Sequence, residues 1–269
     1  MSNASRQDGF RRYEDFGAYH HEMMERDELY IAKVTKALSL IRPGAVVLDV
    51  GCGDGVFVKH ARALGARIIG IDPAAAGVAL ARKMSGCATL CVGAANSLPF
   101  RSGSVDLIVM IDVVNYLPRC KEAIEESTRV LKRSGVLVIM SPCEPGLETE
   151  RVAARDSWQT NGWELAELKQ FAAGHLRISE VAFIEKTAPS AGLAALVRWI
   201  QRARLEELFR RLARALTRRQ GNVSPTAVVP KHQRDGNIVL NTLPWPRLLA
   251  RRRDQIEFII VAVREDAAV

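Results

Sequence analysis

Apolar residues in this chain gather in short runs separated by stretches of mixed character. Between residue 46 and about residue 141 the runs fall at 46–50, 68–71, 89–92, 107–111 and 136–140, and they alternate with amphipathic, Ala-rich or charged segments. That alternation predicts a parallel sheet built from βαβ units. The intervening segments 56–64, 74–84 and 122–132 have helical spacing, and Gly65, Gly86 and Gly135 stand where such helices would end. Further along, 165–173 reads as a helix, and 177–185 and 255–264 read as strands. The expected fold is therefore α/β, a mostly parallel seven-stranded sheet with helices on both faces.

Two flanking segments depart from this rhythm. Residues 17 to 40 look helical and carry Tyr19, His20, His21 and Tyr30, with Phe16 just ahead. The pattern fits a lid over a ligand site and equally a helix packed on the sheet for stability. From residue 189 to 222, apolar residues between Leu193 and Leu216 recur at steps of three to five, with arginines from Arg198 to Arg219 between them. That predicts one or two basic amphipathic helices. The turn formers between Gly221 and Gly236 then close an insert placed before the last strand. The expected organisation is an N-terminal helical segment (1–40), a ligand-binding core (41–187), a basic helical insert or cover (188–254), and a final strand with its tail (255–269).

Composition adds limits. The 269 residues are 48% hydrophobic and 25% charged, as in an ordinary globular protein. No apolar run approaches the roughly 18 to 20 residues of a membrane span, and no cationic segment leads into an apolar one near the start, so a cytoplasmic location is expected. The five cysteines include no C-x-x-C pair and no accompanying histidine cluster, which predicts reduced thiols and no metal site. Charge is uneven: residues 1–187 hold 23 Lys+Arg against 23 Asp+Glu, and residues 188–269 hold 15 against 7. The cationic stripe at 193–219 fits a cover for a small-molecule pocket, an interfacial helix on an anionic membrane surface, or a nucleic-acid surface. Nucleic acid ranks last, since "DVVNYLP" after the fourth strand is not "NPPY"-like and no RNA-binding appendage is recognisable.

The chemistry concentrates in "VLDVGCGDG", residues 47–55. A buried strand runs into Gly51, Gly53 and Gly55 with a helix behind them, which predicts a turn that approaches a ligand closely. The spacing G-C-G-D-G brings the third glycine one residue too early for the dinucleotide fingerprint. At the end of the next strand Asp72 lies about 20 residues beyond Gly51, where a carboxylate accepts hydrogen bonds from ribose hydroxyls.

Taken with "IIGIDPA", "GAANSLPFRSGSVDLIVMIDVVNYL" and "RVLKRSGVLVI" in that order, this stretch resembles the class I S-adenosylmethionine (SAM)-dependent methyltransferases, especially the small-molecule branch with the ubiquinone and menaquinone biosynthesis enzymes. The resemblance runs from about Pro43 to Pro142 and implies a Rossmann-like fold. It also implies SAM as cofactor, with S-adenosylhomocysteine (SAH) as product, and a small or amphipathic acceptor. By the same resemblance Asp49, Gly51 and Gly53 would hold the methionine moiety, Asp72 the ribose, and Pro73 with the Ala94–Ala95 turn the adenine. The family's acidic residue before "LPF" aligns with Ala94, so its adenine contact falls to backbone, to Asn96, or to nothing. Methyl transfer needs alignment and, for a hydroxyl or acidic carbon acceptor, a base. The candidates near the strand ends are Asp112, Asn115, Tyr116, Glu144, His20 and His21, with Asp112 and His20 preferred; Asp106 reads as structural. Competing readings are a lipid-linked or nucleic-acid acceptor, a SAM-fold binding protein without catalysis, and an NAD(P)-dependent oxidoreductase.

Overall fold

The computed structural model describes residues 12–143, 165–173, 176–189, 238–242 and 250–265. Three helices lead: α1 (Arg12–Phe16), α2 (Tyr19–Arg26) and α3 (Glu28–Ser39). The alternating region follows as β1 (Val46–Val50), α4 (Val56–Ala63), β2 (Arg67–Asp72), α5 (Ala75–Ser85), β3 (Leu90–Val92), β4 (Val105–Ile111), α6 (Cys120–Val130) and β5 (Leu131–Cys143). Then come α7 (Leu165–Ala173), β6 (Leu176–Pro189), β7 (Ile238–Thr242) and β8 (Ala250–Arg264).

The strands form one eight-stranded sheet in the order β3-β2-β1-β4-β5-β8-β6-β7. Strands β1 to β5 run parallel, β8 runs antiparallel to both β5 and β6, and β7 pairs parallel with β6. The chain leaves β1 toward β2 on one side and re-enters beside β1 as β4. This reversal opens a crevice at the strands' C-terminal edge, where ligands of open α/β sheets bind. Among the described residues no helix is long and apolar enough to cross a membrane.

Side-chain alternation builds two cores. Leu48, Val50, Ile108 and Met110 pack with α6 and α7 on one face. Val47, Val109, Val138 and Met140 pack with α3, α4 and α5 on the other. Strands covered on both sides read as unbroken apolar runs, which is why they stood out in the sequence.

Four details differ from the sequence expectation. The 17–40 segment is broken where Gly17 takes φ +63 and where Asp27 is extended. The Asp27 carboxylate accepts from the Leu29 and Tyr30 N–H groups, at 3.0 and 3.2 Å, and so caps α3. Helix α6 ends at Val130 without a glycine, and Gly135 lies inside β5, next to Ser134 at φ +58. There Val105 and Leu107 of β4 face Leu131 and Val136, so residues 132–135 bulge from the ladder. The eighth strand, β7, and the start of β8 at Ala250 fall within the segment expected to be an insert. The basic helices expected at 189–222 lie outside the described residues, apart from Pro189 at the end of β6.

Ile108 is fully buried at the centre of β4. Ile108→Ala removes three heavy atoms from a packed interior and is expected to cost about 2–5 kcal/mol, read as a lowered urea midpoint with unchanged slope.

Candidate functional site

Strand β1 delivers Asp49 and Val50 into the glycine turn, which hydrogen bonds stitch to the end of β2. The N–H groups of Gly51 and Cys52 donate to the Ile71 carbonyl at 2.7 and 3.1 Å. Gly53 N–H donates to Asp72 Oδ2 at 2.9 Å, and Ala74 N–H to Asp72 Oδ1 at 2.8 Å. Gly51 has φ +77, and a Cβ there would enter the Val113 side chain, so only glycine fits. Asp72 thus ties the turn to the start of α5, while its position at a parallel strand's end keeps it on the ligand edge.

Asp49 follows Val47 by two residues and therefore faces the α3–α4 side. It is 3% exposed, and among the described residues nothing hydrogen-bonds to its carboxylate. Burial, reinforced by Asp72 and Asp54, pushes its pKa up to about 8. Asp54, 1% exposed, instead accepts from His20: backbone N–H to Oδ2 at 2.9 Å, and ring Nδ1 against Oδ1 at 3.2 Å. His21 Nε2 lies 3.2 Å from the Asp54 carbonyl. An orphaned buried carboxylate beside two others suits a ligand that brings positive charge, as the ammonium of SAM would.

Helices α1 and α2 cover this turn. The Tyr13 ring lies against Gly53 and Gly77, and a Cβ on Gly77 would fall 2.9 Å from it. Tyr13 stacks on Tyr19 with centroids 5.5 Å apart; His20 sits 4.0 Å from Tyr19 and 5.5 Å from Tyr30. Beneath them a cavity of about 20 Å³ is lined by His20, Tyr30, Asp49, Gly51, Phe57 and Ile111, with Cys52 beside the turn. That is room for roughly one water molecule. Of the two readings of the N-terminal segment, both describe part of it: α2 covers the turn, and α3 packs into the core through Leu29, Tyr30, Val34 and Ala37.

Asp112 sits just past β4 with φ +57, a conformation Asp tolerates. Both its oxygens lie 2.6 Å from Lys33 Nζ, which also reaches Glu257 Oε2 at 3.0 Å. Burial works against the Lys33 charge, but Asp112 and then Glu257 outweigh it and raise the pKa above the ordinary lysine value. Asp112 is thus tied to a buried cation and placed beside Ile111 rather than standing as a solvated helix cap. Asn115 is buried and accepts from the Ser141 hydroxyl at 2.8 Å. Tyr116 closes a short 3-10 turn, and Glu144 lies outside the described residues.

Of the residues that the resemblance assigns to the adenine, Pro73 and Ala94 are exposed and Ala95 is buried. The Asn96 amide donates to Glu122 at 3.3 Å. Asp106 accepts from Val46 N–H at 2.8 Å and from Lys132 at 2.9 Å, joining the starts of β1 and β4, as a structural residue does. The sequence reading passed over Asp54, Lys33 and Glu257. A lysine on the buried stripe of Leu29, Tyr30, Val34 and Ala37 was the available signal, since lysine is almost never fully buried unless paired.

Residues 48–139 match the family described as methyltransferase domain. Over 105 residues the chain is 32% identical to malonyl-[acyl-carrier protein] O-methyltransferase of Yersinia pestis, covering 39% of each protein. Over 107 residues it is 34% identical to a ubiquinone/menaquinone biosynthesis C-methyltransferase of Rhizobium johnstonii, covering 36% of this chain and 42% of that protein. The chain therefore spans about two-fifths of the length of these curated relatives. The solved structure of the YcgJ protein from Bacillus subtilis superposes with a TM-score of 0.56 at 17% identity, over 88% of this chain and 100% of that one, and so shares its fold.

Two outcomes follow from the charges. Replacing Lys33 by Met strands two carboxylates around an apolar side chain and is expected to cost about 3–5 kcal/mol, whereas Asp112→Asn keeps the Lys33–Glu257 pair and costs about 1–2 kcal/mol. Urea unfolding of both variants checks the order; equal losses contradict it. For Asp49, the raised folded-state pKa means the folded protein holds a proton that the unfolded chain releases near pH 4. Its contribution is fully present below pH 4 and is lost as pH rises to about 8. Asp49→Asn is therefore expected to melt higher than wild type at pH 8.5 and nearly with it at pH 3.5; the same offset at both pH values contradicts this.

Proposed function

We propose that the protein is a class I SAM-dependent methyltransferase that transfers the methyl group of SAM to a small or amphipathic metabolite, a reading supported by the match of residues 48–139 to the methyltransferase domain family. The observation that carries the proposal is Asp49: a carboxylate buried at a glycine turn, without a partner among the described residues, and in the field of Asp54 and Asp72. Asp49, Gly51 and Gly53 would hold the methionine end of SAM. Asp72 would take the ribose, sharing oxygens that now accept from Gly53 and Ala74. Pro73, Ala94 and Ala95 would border the adenine, with Asn96 engaged by Glu122. Bound there, SAM supplies an electrophilic methyl group on a positively charged sulfur. Helices α1 and α2 must move outward to admit a molecule of that size, because Tyr13 packs on the turn. Tyr30, Phe57 and Ile111 then supply apolar walls that favour an acceptor with an apolar body.

The backbone of the turn also argues against a dinucleotide. The N–H groups of Gly51, Cys52 and Gly53 are spent on Ile71 and Asp72, so no nest of donors awaits a pyrophosphate. We extend the proposal to the basic stripe at 193–219, outside the described residues, as a cover for the acceptor or a contact with an anionic membrane surface.

Calorimetric titration with SAM, SAH and NADH tests the cofactor. Saturable SAM and SAH binding is expected, weakened at least tenfold in Asp72→Ala and in Asp49→Asn. The second variant guards against the first simply loosening the turn. NADH binding alone overturns the reading. Because the Asp49 carboxylate must lose its proton to meet an ammonium, SAM affinity is expected to rise toward pH 8, with proton uptake by buffer on binding. For the stripe, co-sedimentation with phosphatidylserine vesicles at low salt, reversed by high salt, is expected; no binding at low salt removes the membrane contact.

A further inference from the structure

We infer that the protein carries a second binding site, at the sheet edge opposite the glycine turn, for an anion with an apolar body such as a medium-chain carboxylate. The inference goes beyond the methyltransferase reading and stands whether or not SAM binds. A cavity of about 400 Å³ is bordered by the end of α4, the start of β2 and the loop that follows α5, against about 20 Å³ at the glycine turn. The larger volume is that of a small-molecule pocket. Val46, Ala66, Ile68 and Ile69 give it apolar walls. Polar atoms in the loop are spent on their neighbours: the Thr89 hydroxyl donates to the Ile68 carbonyl at 2.6 Å, and the Cys87 thiol lies 3.1 Å from Thr89 Oγ1. Leu64 and Met84, large apolar side chains that stay exposed, stand at the ends of the same two helices.

The charge at this edge has one sign. Arg62 and Arg67 line the cavity and no acid does. From Lys59 to Thr89 the chain holds five Lys and Arg and a single acid, Asp72, which stands at the other end of β2. Asp106 accepts from the Val46 N–H at 2.8 Å, but Lys132 engages both its oxygens at 2.9 Å and so answers its charge. Carbonyls at the end of α5 would repel an anion. Arg62 covers two of them: its Nη1 donates to the Ser85 and Gly86 carbonyls at 2.9 and 2.7 Å, leaving Nε and Nη2 without a partner among the described residues. Arg67, exposed at the start of β2, has no side-chain partner among them either. Two guanidinium groups beside apolar walls take a carboxylate head and an alkyl or aryl body. A neutral apolar molecule would forgo the arginines, and a bare phosphate would forgo the walls. Asp49, Asp54, Asp72 and Asp112 gather at the opposite edge, so the field of the molecule also steers an anion to this one.

Amide NMR of the full chain, titrated separately with octanoate, octanol, octyltrimethylammonium and inorganic phosphate, decides it. Octanoate is expected to shift the amides of residues 66–69 and 86–89 saturably and to leave those of 49–55 in place. Octanol and phosphate are each expected to bind about tenfold more weakly, and the cation not at all. Two variants at exposed positions keep the fold and test the two halves of the site. Arg67→Glu is expected to weaken octanoate about tenfold at an unchanged melting temperature, and Ala88→Trp to fill the cavity and abolish the shifts. Octanol binding as well as octanoate overturns the anion, and phosphate binding as well overturns the apolar body. No saturable shift at these residues, or the same shifts in both variants, overturns the site. Phosphatidylserine vesicles that broaden these amides where octanoate leaves them unmoved assign the edge to a membrane surface and overturn it as well. The readout needs neither SAM nor turnover, so absence of SAM binding fails the methyltransferase reading alone.

Discussion

Asp49 cannot be moved without moving β1. Its strand lies at the centre of the parallel region, paired with β2 on one side and β4 on the other, and the register that buries Val47 also buries Asp49. The carboxylate is therefore held away from water by the fold itself, with Asp54 and Asp72 adding to its cost. The same field reaches the neighbours: burial first, then Asp49 and Asp72, raises the Cys52 thiol, and burial followed by Asp54, Asp112 and Asp49 raises the Tyr30 phenol. Asp49, Asp72, Cys52, Tyr13 and Tyr30 are each pushed toward the uncharged form, burial being the largest cause in every case. A phosphate would meet that field as repulsion; a ligand with an ammonium and a sulfonium would meet it as attraction.

The cover over this turn depends on a second set of charges. Lys33 joins α3 to the end of β4 and to β8, and Lys36 reaches Glu180 on β6 at 2.9 Å. Helix α3 is thereby fixed to strands far apart in sequence. Because Asp27 caps α3 on its own, α2 and α1 are not needed to start it. They approach the turn through aromatic stacking and the His20–Asp54 contact, and Gly17 gives a second pivot at positive φ. The arrangement separates a fixed support from a cover that has few ties, which is what a site closed over its ligand requires.

The strands were legible because burial on both faces writes itself as apolar runs, and β1 and α7 have the bounds read from the sequence. The glycine turn and Asp72 were legible because their spacing is local. Asp54 stood inside the quoted turn, yet nothing in sequence pairs it with a histidine 34 residues away. Lys33 with Glu257 spans 224 residues, beyond any periodicity. Strand β7 is five residues long and sits among turn formers, so tertiary pairing with β6 decided what local pattern did not. Gly135 misled for a related reason: it sits in the bulge of β5 opposite β4, where a Cβ would fall 2.8 Å from the Lys132 carbonyl oxygen.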